Sequence, residues 1–185
     1  MIHDKEIMLK NIKEIRDILQ KYTNNWWIDC GTLLGFRRDG NFIDGDLDTD
    51  IGIFAEDFDL RMLEDFSRAD FKIGNVFGID GKGREISLVK ENVKTDIYFY
   101  YKQDDFRWLA MWNNGGKVKE DIIPMKFKSN IIEEIESQEY LGEKWNVPKN
   151  TEEYLITRYG DWKTPEPGFH WATSPKNIDR GLKIW

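Results

Sequence analysis

The stretch Trp27-Ile-Asp-Cys-Gly-Thr-Leu-Leu-Gly-Phe-Arg-Arg-Asp-Gly-Asn-Phe-Ile-Asp-Gly-Asp-Leu-Asp-Thr-Asp-Ile-Gly-Ile53 decides the fold. A buried-looking strand over residues 26–29 runs into Gly31-Thr32 and a short helical piece over 33–38. A turn around Asp39-Gly40 follows, and Asp46, Asp48 and Asp50 then lead into Ile51-Gly52-Ile53. Strand side chains alternate, so these three acids share one face. Carboxylates crowded together raise one another's pKa unless a cation sits between them. The pattern therefore asks for a metal, and oxygen ligands without His or Cys nearby favour Mg²⁺ or Mn²⁺ over zinc. A calcium loop is a poor match, because it wants glycine at its sixth position and glutamate at its twelfth. Counting from Asp46 those places hold Ile51 and Asp57, and from Asp44 they hold Thr49 and Ala55.

Upstream, Met8, Ile12, Ile15 and Leu19 recur at helical spacing, which predicts an amphipathic helix over residues 4–21 that covers a sheet and ends at Asn24-Asn25. Downstream, residues 56–69 read as a second helix with Phe58, Met62, Leu63 and Phe66 on one face. From 71 to 101 the pattern is β-like. Gly74, Gly78, Gly81 and Gly83 mark turns, Ile86 and Leu88 alternate with polar residues, and Glu91-Asn92 turns the chain. Val93, Thr95, Ile97 and Phe99 then alternate with Lys94, Asp96, Tyr98 and Tyr100. Asp96 is thereby placed opposite the apolar face, on a strand expected to run antiparallel to the acid-bearing one. Residues 106–112 read as another strand, closed by the hairpin signal Asn113-Asn-Gly-Gly116. The prolines at 124 and 148 make their flanks extended. Asn150 with Glu153 opens a helix expected to reach Tyr159 and stop at Gly160, before a rigid proline-held segment over 161–167.

The 185 residues suit one domain, 1–185, with a sizeable core, and 8 Trp in a chain 33% charged is a globular composition. With 27 basic and 34 acidic residues the net charge is -7, a poor balance for gripping nucleic-acid backbones. Phosphate-bearing ligands stay in play, since a bound divalent ion reverses the local field. Cys30 is the only cysteine, so neither an intrachain disulfide nor a cysteine zinc cluster can form. No segment approaches the ~20 apolar residues of a membrane span. A cytoplasmic protein is the expectation, with peripheral attachment at the inner face of a membrane left open.

Glycine directly after a strand lets a phosphate approach the backbone, and the N–H groups opening the next helix can bind it. A strand, a Gly-Thr helix start and a second strand carrying Asp-x-Asp resemble the nucleotidyltransferase arrangement of the DNA polymerase β superfamily. The resemblance narrows further. Residues 27–38, Phe42-Ile43 and Asp46-Leu-Asp-Thr-Asp-Ile-Gly52 are similar to the signature of the LicD and fukutin-related phosphotransferase family. So is the tail, where Val147-Pro-Lys-Asn150 leads to Tyr154-Leu155, Arg158-Tyr-Gly-Asp-Trp162 and Thr164-Pro165, so that the likeness spans residues 8–167. It implies an α/β nucleotidyltransferase fold with a short mixed sheet flanked by helices. It also implies transfer of a phospho-alcohol (ribitol phosphate, glycerol phosphate or phosphocholine) from a CDP-linked donor to a glycan hydroxyl, with CMP released and Mg²⁺ or Mn²⁺ as cofactor.

Carried onto this chain, the resemblance makes Asp48, Asp50 and Asp96 catalytic metal ligands, with Asp46 in an outer or water-mediated place. Asp96 would also take the acceptor's proton, while Gly31, Thr32 and Arg38 would hold donor phosphate. Gly45 and Leu47 depart from the acid-rich, tryptophan-led run of many members, which leaves the alternating acids intact but removes a tryptophan from donor packing. The zinc-binding cysteines of animal fukutin-related enzymes have no counterpart, which implies a minimal microbial-type catalytic domain. Two other readings of the same acids are nucleotidyl transfer from an NTP to a small molecule or protein, and a non-catalytic nucleotide- or glycan-binding domain. His3 and His170 are too far apart to suggest a dyad, and His170 beside Trp171 reads as a surface residue. Cys30 reads as a small buried thiol, and Tyr98, Tyr100, Trp108 and Trp112 as core.

Overall fold

The computed structural model describes residues 5–113, 115, 116 and 118–185; His3 and Asn114 lie outside them. The first helix, α1 (Lys5–Leu19), buries Met8, Ile12, Ile15 and Leu19, as its spacing predicts. The quoted stretch forms β1 (Trp26–Ile28), α2 (Cys30–Arg38) and β2 (Asp48–Phe54). Helix α2 starts three residues earlier than its apolar pattern suggests. Asp29 caps it, its carboxylate accepting from Cys30 N at 2.8 Å, so Gly31 and Thr32 lie in the first turn.

Two glycines fix how this unit closes. A Cβ on Gly52 would meet the Trp27 ring at 2.3 Å, because β1 pairs antiparallel with β2 and sets Trp27 against Gly52. A Cβ on Gly35 would meet Asn41 O at 2.6 Å, so the loop returning from α2 passes directly over the helix. That return carries Asp46 back toward the start of α2.

The second predicted helix is shorter. A 3₁₀ turn (Ala55–Asp57) leads to an extended Phe58, and α3 (Arg61–Arg68) begins only after Asp59 has accepted from Arg61 N at 2.9 Å. Phe58 packs edge-on against Phe99 instead of joining Met62 and Phe66 on the helix face. Then come β3 (Lys72–Ile79), β4 (Lys82–Lys90) and β5 (Val93–Gln103). Gly74 and Gly78 do not make turns. They lie inside β3, at the two places where its register with β4 slips. The tight turn is at Asp80-Gly81, both in the left-handed region.

The sheet order is β1-β2-β5-β4-β3. Strand β5 runs parallel to β2, against the antiparallel expectation: Asp48 faces Lys94 and Asp50 faces Asp96 in register. The reason is topological. The chain leaves β2, crosses through α3 and spends one full hairpin, β3–β4, before returning, so its third pass enters beside β2 in the same direction. The far end of β5 pairs with β6 (Phe106–Trp112), which pairs along its length with β7 (Ile122–Lys128). A short helix, α4 (Ser129–Ile132), precedes a hairpin absent from the sequence reading, β8 (Ile135–Tyr140) with β9 (Glu143–Pro148). Helix α5 (Thr151–Tyr159) ends at Gly160 (φ 73°), although Asn150 donates to Asn130 O and makes no side-chain cap. The mixed sheet with helices packed on it is the expected α/β class. No helix among the described residues is long and apolar enough to cross a membrane.

Candidate active site

Parallel pairing of β2 with β5 is what assembles the site. It brings Asp48, Asp50 and Asp96 onto the wall of one cavity of about 680 Å³, and the loop before β2 adds Asp46. Asp50 and Asp96 are buried. Gly31 faces these acids: a Cβ there would stand 3.0 Å from Asp46 Oδ2 and 3.4 Å from Asp50 Oδ2. The missing side chain lets two carboxylates sit at the positive end of a helix.

Thr32 is turned differently from the sequence expectation. Its hydroxyl accepts from Asp50 N at 2.8 Å and its N–H donates to Asp50 Oδ2 at 3.3 Å. Those bonds lock β2 to α2, which makes Thr32 a holder of Asp50. Arg38 lines the cavity, but its guanidinium is forked onto Asp39 at 2.8–2.9 Å.

The electrostatics are those of a cluster short of cations. Burial, then repulsion from Asp48, raises Asp46 to about 6. Burial, then Asp48, Asp46 and Asp96, pushes Asp50 well above the usual carboxylate range. Burial raises Asp96 too, although Lys94 and Ser87 oppose it. The ammonium of Lys94 bridges the strands at 2.9 Å from Asp48 Oδ2 and 2.7 Å from Asp96 Oδ2, and Ser87 Oγ donates to Asp96 Oδ1 at 2.7 Å. Among the described residues, no three acid, His or Cys side chains form a ready-made metal cage. The donor set nonetheless fits a hard divalent ion, being all oxygen, crowded and only partly neutralised by one lysine.

Two residues of the site escaped the sequence reading. Glu85, cross-strand from Tyr98 on β4, lines the cavity, and burial, then Asp96, raises it to about 8. Its signal was present: Glu85 and Ser87 are the polar partners that alternate with Ile86 and Leu88. Arg158 on α5 also lines the cavity and is only 2% exposed. It falls on the helix face shared by Thr151, Tyr154, Leu155 and Tyr159, so helical spacing alone puts a cation inside.

The remaining candidates separate cleanly. Tyr98 and Trp112 line the cavity, with Trp112 stacked on Phe77, while Tyr100 is bonded to Asp29 and Trp108 stacks on Tyr101 away from the cavity. Cys30 is buried with its thiol pushed well above its usual pKa, first by burial, so it is no nucleophile. His170 is exposed and stacks on Trp171, which reaches the cavity rim with Phe169.

An acid-bearing strand locked to the first turn of a glycine-containing helix, with a further acid delivered by the parallel neighbour, defines a nucleotidyltransferase-fold domain. The family model described as "LicD/FKTN/FKRP, nucleotidyltransferase domain" matches residues 24–150, and the chain belongs to that family. It is 32% identical over 176 residues to human ribitol-5-phosphate transferase FKTN, covering 91% of this chain and 37% of that protein. The mouse protein of the same name is 29% identical over 182 residues, covering 95% and 38%. The chain thus spans well under half the length of these relatives. Among solved structures, Rhodothermus marinus CdnE c-UMP-AMP synthase aligns with 68% of this chain and 48% of its own at a TM-score of 0.34 and 11% identity.

Proposed function

We propose that this domain transfers a phospho-alcohol from a CDP-linked donor to a saccharide hydroxyl. The support is family membership, relatives named as ribitol-5-phosphate transferases, and above all one observation. Asp46, Asp48, Asp50 and Asp96 crowd one wall of the cavity, and Lys94 bridges only Asp48 and Asp96, an arrangement that costs stability unless cations arrive.

In this reading Asp48, Asp50 and Asp96 hold Mg²⁺ or Mn²⁺, with Asp46 behind them. The ion supplies charge neutralisation at the donor's pyrophosphate. The acceptor oxygen bonds to the phosphorus of the phospho-alcohol as the bridging P–O bond to CMP breaks, and the hydroxyl proton passes to a cavity carboxylate. Asp96 is placed for that, although both its oxygens already accept, from Ser87 and from Lys94. Glu85 lines the same cavity, and burial, then Asp96, raises it to about 8, which keeps it protonated near neutral pH and makes it an acid there rather than a base. At the start of α2 the N–H groups of Cys30 and Thr32 already donate to Asp29 and Asp50, which leaves that of Gly31 for donor phosphate. In this reading the domain works in the cytoplasm, with attachment at the inner face of a membrane as an option.

The test is CMP release from CDP-ribitol, CDP-glycerol and CDP-choline with a saccharide acceptor and Mg²⁺, in wild type and Asp48→Asn. Release from one donor, lost in the variant, is the expected result. Release of pyrophosphate from CTP or ATP, with no CMP from any CDP-alcohol, overturns it in favour of nucleotidyl transfer. Neither product, with ligand binding retained, makes the domain a non-catalytic binder.

A further inference from the structure

Arg158 is a positive charge buried on the cavity wall, with no neutralising carboxylate among the described residues. Its Nε and NH1 are buried and have no hydrogen-bond partner, and NH2 reaches only Met111 Sδ at 3.7 Å. The ring of Tyr159 lies 5.7 Å from the guanidinium carbon, at the outer limit of useful cation–π attraction. No carboxylate among the described residues forms an ion pair with it. Buried charges are ordinarily paired, and leaving one unpaired costs several kcal/mol. A protein that keeps such a group holds it for something that comes from outside.

What comes is defined by the surroundings. Arg158 shares its cavity wall with Gly31 at the positive end of α2, with Tyr159, and with Asp50. An arginine fork and a helix N-terminus both select an anion with several oxygens in a plane or tetrahedron. The nearby aspartates would repel a bare carboxylate but accept a phosphate that shares a metal with them.

We propose that Arg158 is the anchor for the non-bridging oxygens of a phosphate ester, and that this phosphate is the one left on the nucleotide when the donor is cleaved. The inference rests on the donor reading above and adds to it the residue that grips the leaving group. A guanidinium there stabilises the charge that builds on CMP as the bridging bond breaks, and holds CMP until release.

The experiment is thermal unfolding and calorimetric titration of wild type, Arg158→Met and Arg158→Lys in Mg²⁺, with cytidine, CMP, glycerol 3-phosphate and inorganic phosphate. Without ligand, Arg158→Met is expected to melt at or above the wild-type temperature, since it loses an unpaired charge and keeps the hydrocarbon stem. CMP should bind wild type, cytidine much more weakly, and Arg158→Met should weaken CMP by about tenfold or more, with Arg158→Lys between. If Arg158→Met melts lower and CMP affinity is the same in all three proteins, the arginine is structural and the proposal fails while the donor reading survives. Arginine-dependent binding of glycerol 3-phosphate or inorganic phosphate, with no binding of CMP, keeps the anion site but overturns its assignment to the nucleotide. No binding of any phosphate to wild type removes both.

Discussion

Two arginines in this protein are equally buried and opposite in circumstance. Arg107 forks onto Glu56 at 2.7 and 3.1 Å, reaches Glu133 Oε1 at 3.3 Å and Tyr100 O at 3.3 Å, and lies 3.8 Å over the Phe54 ring. Arg158 has none of this. The aspartates divide in the same way. Asp29 is bonded by Cys30 N and by the hydroxyls of Tyr100 and Tyr154, whereas Asp50, on β2 and tied to Thr32 in the first turn of α2, faces three more carboxylates. One side of the sheet's end is electrostatically finished, and the other is left open. A fold able to complete Arg107 and Asp29 was able to complete their counterparts. The open side is the one that the proposed donor and metal would complete.

The sharpest way to break this contrast is to neutralise an open-side acid. Asp50→Asn should lower turnover by at least on the order of 10³ while the ligand-free protein melts no lower than wild type, because a repelling charge has gone. Parallel loss of stability and activity would show that Asp50 belongs to the finished side. The converse change is Arg107→Met, which should cost about 3 kcal/mol in urea unfolding and leave KM for the donor unchanged. Glu56 is half-exposed and can return to water, which keeps that figure moderate.

A smaller effect is carried by pH. Glu85 at about 8 and Asp46 at about 6 hold protons in the folded state that the unfolded chain has already lost. Raising the pH from about 4.5 to about 8 strips those protons from the folded state, so stability of the metal-free protein falls across that window. Burial of Asp50 and Asp96 acts in the same direction. The raised Lys94, whose contribution is complete below the ordinary lysine range, does not act there. Glu85→Gln should flatten the fall between pH 6 and 8 by about 2 kcal/mol, measured by urea unfolding in EDTA. The smallest effect is that of Lys94→Met. It should destabilise the metal-free protein by about 1 kcal/mol or less, given how exposed the lysine is, and by nothing measurable once Mg²⁺ is bound.

The finished side was the easier to read in advance. Helical spacing located α1 and α5 because each buries one regular face, and β1 and β2 stood out as short runs buried on both faces. Asp48, Asp50 and Asp96 stood out as charges on strand positions turned toward the site, whereas Asp46 lies in the loop before β2. Strand direction is invisible to a period of two, which is why β5 was expected antiparallel to β2. Phe58 misled because an aromatic at the right spacing fits a helix face as well as it fits an edge contact with Phe99. Lys94 and Arg158 lay in plain view on legible elements. Their significance lay in what surrounds them, the pair of carboxylates bridged by one and the lack, among the described residues, of a carboxylate partner for the other, and that depends on chain segments remote in sequence.

Gly52 has a bearing on how variation in this domain should be interpreted. It touches no reactant, yet the depth of the acid-bearing strand beneath Trp27 is set by a hydrogen atom where other residues have a methyl. Even alanine there would push the strand or the indole aside, and Asp50 would move with it. In a screen of random substitutions scored by activity, position 52 would rank beside the aspartates. A ranking of that kind would be measuring the seating of the strand, and an inherited change at this glycine would be expected to act as a loss of catalysis in a protein that still folds.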